Sequence, residues 1–235
     1  MLFRSRVREI TDATPLPVIA DADAGYGNAL NVFRTVREFE RAGVAALHLE
    51  DQVTPKKCGH YAGKHLVSTD EFVGKLRAAL DARRDPDLVI IARTDARAVL
   101  GLDAAIERAN RYAEAGADVL FVEAPESEGE LERIARAVRA PLLVNMFAGG
   151  RTPLVAPARL EAMGYRIMIV PSDLQRAAIA AMQEAAALVR ATGTATGMGD
   201  RLASFVERDR LVDLAAWEER ERRYGAMPAR EEAGR

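Results

Sequence analysis

Cysteine is nearly missing from this chain. Cys58 is the only one among 235 residues, so no internal disulfide framework exists and the expected setting is a reducing one, the cytoplasm. An excess of charge of one sign is also missing. The 33 Lys and Arg are matched by 35 Asp and Glu, and the net charge of −2 gives no basic surface, so no nucleic-acid partner is expected. No apolar run approaches the roughly 20 residues that span a bilayer. The opening residues 1–5 are too short for a secretion signal, so no membrane partner is expected either. No GxGxxG opens a helix after a strand, which disfavours a nicotinamide or nucleotide enzyme. A second cysteine is lacking, and the three histidines have no ligand spacing, which argues against zinc.

What is present is a repeat. Short runs rich in Val, Ile, Leu and Ala recur at 16–22, 45–49, 88–92, 119–122, 141–144 and 166–170. They do not alternate with polar residues, as expected of parallel strands buried on both faces. Amphipathic stretches with helical spacing lie between them, such as 29–42, 69–83 and 102–115. "FERAGVAALHLE", "YAEAGADVLFVE" and "LEAMGYRIMIVP" echo one another. Each ends a helix, turns on Gly43, Gly116 or Gly164 and enters a strand, with glycine supplying the left-handed cap. Seven residues after these glycines come Glu50, Glu123 and Pro171, so two strands end on carboxylates. Function at strand C-termini argues for a (β/α) barrel over a Rossmann sheet.

The expected fold is therefore α/β, a (β/α)8 TIM-barrel type, and residues 1–235 are expected to form one domain. Six strands are evident where a closed barrel has eight. Either the first two βα units are lacking or the sheet is open with six strands, and the first reading is preferred. Segment 5–11 resembles the second half of a longer unit. Helices are expected at 172–190 and 211–223, and "ATGTATGMGD" (191–200) is a connection. Its glycines follow a helix, so it lacks the context of a phosphate loop. Residues 228–235 are expected to fray.

The strand ends carry the chemistry. In "VIADADAGYG", Asp21 and Asp23 are two apart, which in a strand points both to one side. Two carboxylates at a strand mouth suit Mg²⁺ or Mn²⁺, although a solvated acidic turn would read the same way. Glu50 and Asp51 end the next strand, Arg93 and Asp95 share a face in "IARTDA", and Glu123 and Asn145 end two more. Converging on one barrel mouth, carboxylates hold a divalent cation and Arg93 pairs with an anionic group; a structural ring of salt bridges is the bland alternative. Cys58 follows Lys56 and Lys57 and precedes Gly59 and His60. A thiol among cations suits a nucleophile, a metal ligand or a proton donor; a bystander thiol is the plain alternative. His48 reads as a satisfied strand residue, and His65 is a weak candidate.

"DADAGYG", "HLEDQVTPKKCGH" with "GK" soon after, "IARTDA", "FVEAP" and "VNMFAGGRTP" occur in order. Over about residues 6–220 the chain resembles the isocitrate lyase/phosphoenolpyruvate mutase superfamily. KKCGH is similar to its carbon–carbon lyase branch, the 2-methylisocitrate and 2,3-dimethylmalate lyases among them. The resemblance implies a Mg²⁺-dependent lyase in which Asp21 is the direct metal ligand and Asp23 and Glu50 hold the metal's waters. It implies Cys58 as proton donor, Lys57 in the basic part of the loop, and Gly59 and His60 at the departing carboxylate. Arg93, Glu123 and Asn145 would line the substrate pocket. The substrate would be a small 2-hydroxy carboxylic acid of the 2-methylisocitrate, 2,3-dimethylmalate or isocitrate type, giving pyruvate or glyoxylate. The family also implies a homodimer or homotetramer that exchanges a C-terminal helix, here within 191–235. The alternatives are an oxaloacetate hydrolase or decarboxylase, a phosphoenolpyruvate or carboxyphosphonate mutase, and an inactive or assembly-only barrel. The resemblance also implies a further strand before DxDxG, which is expected to be one of the units lacking here.

Overall fold

The computed structural model describes residues 2–59 and 61–225. Six strands form one parallel sheet in chain order: β1 (Ile19–Asp21), β2 (Ala46–Glu50), β3 (Val89–Thr94), β4 (Val119–Val122), β5 (Leu142–Asn145) and β6 (Tyr165–Ile169). The sheet curls into a half-barrel with helices outside, the α/β barrel type. The chain falls into two compact units, Met1–Asp173 and Leu174–Arg235.

In the first unit, α1 (Leu2–Ala13) precedes β1, and α2 (Ala29–Arg41), α3 (Thr69–Ala82), α5 (Leu102–Glu114), α6 (Glu128–Ala137) and α7 (Pro157–Met163) connect successive strands; α4 (Ala96–Leu100) is a short turn before α5. Asn28 caps α2 with a reciprocal bond pair to Asn31, and Ser68 and Ser127 cap α3 and α6 through the N–H of Glu71 and Glu130. Gly43, Gly116 and Gly164 have φ of 86°, 105° and 110°, the left-handed turn expected of the repeated helix ends.

The outer strand face packs on the helices through residues such as Leu47, Leu49, Ile90, Leu120 and Val144. The inner face has its own smaller core of Ala46, Ile91, Val119, Phe121 and Leu143. Both faces of β2–β5 are therefore buried, which is why these strands read as near-continuous apolar runs, while the edge strands β1 and β6 are partly exposed.

The second unit consists of α8 (Asp173–Thr192, entered from the first unit's last residue), a 3₁₀ turn at Thr196–Arg201, α9 (Phe205–Leu211) and α10 (Leu214–Tyr224). The segment 191–200 is thus partly helical, not a bare connection. The helix expected over 211–223 is α10, which starts only at Leu214 because Asp213 adopts φ 52° and separates it from α9. Residues 228–235 lie outside the described residues.

Candidate active site

Side chains along a strand alternate, so every second residue shares a face. On the inner face, β2 presents Ala46, His48 and Glu50; β3 presents Val89, Ile91 and Arg93. Beyond them come Val119 and Phe121 of β4 followed by Glu123, then Leu143 and Asn145 of β5. Each series starts apolar and ends polar. Register places Glu50 opposite Arg93 and Asp21 opposite His48, so the polar ends form one layer at the C-terminal mouth.

Asp21, Asp23 and Glu50 meet there around a single cation, the ammonium of Lys56. Its Nζ lies 2.8 Å from Asp23 Oδ1, 3.6 Å from Asp21 Oδ2 and 3.8 Å from Glu50 Oε2. Asp23 does not reach this point by strand alternation. It lies past β1 with φ 49°, and its N–H donates to Asp21 Oδ1 at 2.8 Å, so a left-handed turn brings the two carboxylates together. Glu50 is fully buried, and neither of its carboxylate oxygens has a hydrogen-bond partner. Burial pushes its pKa up to about 7 despite the nearby Arg93. Burial also acts on Asp21, but His48, the Asp23 N–H, Lys56 and Arg93 outweigh it and hold that carboxyl below its usual range. His48, buried and edge-on to Phe121, is pushed down by desolvation, which favours the neutral imidazole.

Arg93 occupies the centre of the mouth. Asp95 grips its guanidinium through two bonds of 3.0 and 3.1 Å. Glu50 and Glu123 stand 3.4 and 3.6 Å from it, and it lies over the Phe121 ring. Asn145 donates to Glu123 Oε2 at 2.9 Å. Burial works against the Asp95 carboxylate, but Arg93 and Lys64 keep it ionised, below the usual carboxylate range.

The loop 53–64 springs from β2 and returns at its base. Gln52 pairs with Leu66, the Val53 N–H donates to His65 O, and the Val67 N–H to Asp51 O. The loop passes over the mouth at Gly59, where a Cβ would stand 2.4 Å from Arg93 Nη2 and 2.5 Å from Glu123 Cγ. Only glycine permits that approach. Cys58 is the neighbouring residue and is exposed. Lys57 is exposed, and it is the adjacent Lys56 that reaches the carboxylates. His65 is exposed, and His60 lies outside the described residues.

Two participants were not singled out from the sequence, and a third, Asp51, reads there as a strand-end carboxylate of the mouth but faces away from it. Lys56 is one. Lys64 is the second, a buried lysine 3.0 Å from Asp95 Oδ1 and also bonded to Gly59 O. The third is Asp51, fully buried behind the mouth. It accepts from Thr94 Oγ1 (2.7 Å), the Asp95 N–H (2.9 Å), Tyr112 OH (2.9 Å) and Arg108 Nη1 (3.0 Å). The tandem "ED" after an apolar run was a signal for it, but sequence does not tell an outward carboxylate from one aimed at a helix behind.

Residues 3–190 match the family model described as phosphoenolpyruvate phosphomutase. The chain belongs to the phosphoenolpyruvate mutase/isocitrate lyase superfamily. Among its relatives in that superfamily is the 2,3-dimethylmalate lyase of Eubacterium barkeri, 49% identical over 220 residues, which span 94% of this chain and 76% of that one. The 2-methylisocitrate lyase of Aeropyrum pernix is 46% identical over 212 residues, 90% of this chain and 68% of the other. Both are named lyases, enzymes that cleave carbon–carbon bonds. An oxaloacetate acetylhydrolase with 3,3-difluorooxalacetate superposes with a TM-score of 0.88 at 36% identity, over 97% of this chain and 77% of that one. A phosphonopyruvate hydrolase complexed with oxalate and Mg²⁺ gives 0.82 at 31%, over 94% and 77%. Among the described residues, no helix is long and apolar enough to cross a membrane.

Proposed function

We propose that this chain carries a Mg²⁺-dependent lyase site that cleaves a 2-hydroxy di- or tricarboxylate of the 2-methylisocitrate, 2,3-dimethylmalate or isocitrate type. The observation that carries this reading is one cluster: three carboxylates about a cation, with Arg93 and the Cys58 loop beside them. The kinship to named lyases supports the bond cleaved.

Among the described residues no three acidic, imidazole or thiol side chains form a ready-made metal cage, but the chemistry of the donor set fits the metal. Asp21, Asp23 and Glu50 already gather around one positive charge, and the buried Glu50 oxygens lack hydrogen-bond donors. Hard oxygen donors of this kind suit Mg²⁺ or Mn²⁺. These three side chains would hold it, and when bound it supplies Lewis-acid stabilisation to the carboxylate and hydroxyl of the substrate.

The protein's own groups do the rest. Arg93, charged and held by Asp95, balances negative charge on the oxo-acid half as the C2–C3 bond breaks. The hydroxyl gives its proton to a carboxylate of the mouth and becomes the carbonyl of pyruvate or glyoxylate; the electron pair of the broken C2–C3 bond passes to C3. Cys58 donates a proton to C3, completing the second carboxylate product. Gly59, packed on Arg93 and Glu123, keeps the loop close enough to exclude water from the carbanion. Glu123 and Asn145 line the pocket, Gly59 and His60 take the departing carboxylate, and Lys57 lies in the basic part of the same loop. A homodimer or homotetramer belongs to the same reading, supported by exposed apolar side chains such as Leu174, Phe205 and Trp217 on α8–α10.

The test is release of 2-oxo acid by the purified chain from isocitrate, 2-methylisocitrate, 2,3-dimethylmalate and oxaloacetate, with and without Mg²⁺. Metal-dependent pyruvate or glyoxylate from one of the first three is expected. Oxalate with acetate from oxaloacetate alone would replace the lyase reading with a hydrolase.

A further inference from the structure

Two buried side chains grip the main chain on either side of Cys58. Gln52, 1% exposed, bonds Lys57 twice: its Oε1 accepts the Lys57 N–H and its Nε2 donates to Lys57 O, both at 2.9 Å. Lys64, 5% exposed, donates to Gly59 O and to Asp95 Oδ1. Cys58 is the one residue between the two grips, and its own side chain is exposed.

Both grips are rooted in rigid parts of the molecule. Gln52 sits in the short antiparallel pairing with Leu66 that closes the loop's base. Lys64 leans on Asp95, whose main-chain N–H is fixed by Asp51 and whose carboxylate is fixed by Arg93. The same Asp95 thus orients Arg93 in the mouth and, through Lys64, the loop above it. Burying a lysine–carboxylate pair is a poor way to gain stability, because desolvation offsets the attraction and an apolar pair does as well. What such a pair does provide is a fixed geometry.

We propose that Gln52 and Lys64 are positioning residues that set the Cys58 thiol over the mouth. The inference rests on Cys58 as proton donor, where misplacement by about 1 Å is enough to cost about 10²-fold in rate. A free loop would let the thiol wander; a loop held at residues 57 and 59 restricts the main chain on both sides of Cys58.

The test compares Gln52→Met and Lys64→Met with the unmodified chain by hydrogen exchange of the segment 53–66 and by steady-state kinetics. Gln52→Met is expected to speed exchange of the Lys57 amide, and Lys64→Met that of the Tyr61 amide bonded to Cys58 O, about tenfold while β4 and β5 exchange as before. The turnover number should fall by about 10²-fold with a much smaller change in KM. Unchanged loop exchange, or an acceleration spread equally over the strands, overturns the proposal. So does a loosened loop with an undiminished turnover number. If Lys64→Met does not fold, Gln52→Met, which removes no charge, decides alone. Exchange needs no turnover, so failure of the clamp is distinguishable from failure of the lyase reading.

Discussion

Gly59 and Arg93 touch across the mouth of the barrel, so closely that a Cβ on the glycine would stand 2.4 Å from the guanidinium Nη2. Asp95 holds that guanidinium by two bonds, so it cannot swing aside freely. Gly59→Ala is therefore expected to lift the loop off the site. Turnover should fall by about 10²-fold with little change in the thermal midpoint, because the loop lies outside the core. Activity assays paired with thermal denaturation check this, and a fully active alanine variant would contradict the contact.

Cys58→Ser replaces the thiol by a hydroxyl that gives up its proton far less readily. Loss of a positioned acid costs about 10²–10⁴-fold, so turnover should drop by that order. Mg²⁺-dependent binding of pyruvate or oxalate should persist, since no carboxylate of the cluster is altered. Full activity in this variant would remove Cys58 as proton donor.

Asp21→Ala takes away the proposed direct metal ligand. Calorimetric titration with oxalate and Mg²⁺ is expected to lose its metal-dependent heat. Binding equal to that of the unmodified chain would place the metal elsewhere.

Glu50 gives a pH signature. Its pKa rises from 4.5 unfolded to about 7 folded, because burial disfavours the charge. Between those values the folded state binds the extra proton, so stability contributed by this group falls as pH rises from about 4.5 through about 7. The shift corresponds to on the order of 3 kcal/mol. His48, whose pKa is lowered by burial, acts with the opposite sign below 6.5. The comparison with Glu50→Gln isolates the carboxyl: in metal-free urea denaturation the variant should lose that downward slope. Parallel pH profiles would mean Glu50 titrates normally.

Asp51→Ala takes the shared acceptor from four donors at once: Thr94, the Asp95 N–H, Tyr112 and Arg108. Breaking a buried charge pair from one side costs about 3–5 kcal/mol. Urea midpoints should show a loss of that size, and an alanine variant as stable as the parent would leave the network without energetic weight.

Residue order alone carried a good deal of this. The six apolar runs became six parallel strands, and the inner four are apolar along most of their length because both their faces are covered. The three glycines seven residues before Glu50, Glu123 and Pro171 became left-handed helix ends, because that backbone disfavours any side chain. The motifs themselves identified the superfamily. Contacts distant in sequence were decided only by folding. Asp23 joins Asp21 through a turn, not through strand period. Lys56, rather than Lys57, reaches the carboxylates, because loop backbone direction sets which of two adjacent lysines points inward. Lys64 and Gln52 look like ordinary surface residues in the sequence; they are buried because Asp95 and Lys57 are brought to them from 31 and 5 residues away. A carboxylate's neighbours determine its chemistry, and those neighbours come from separate strands, so the proton affinity of Glu50 and the grip on Cys58 exist only once the barrel has curled.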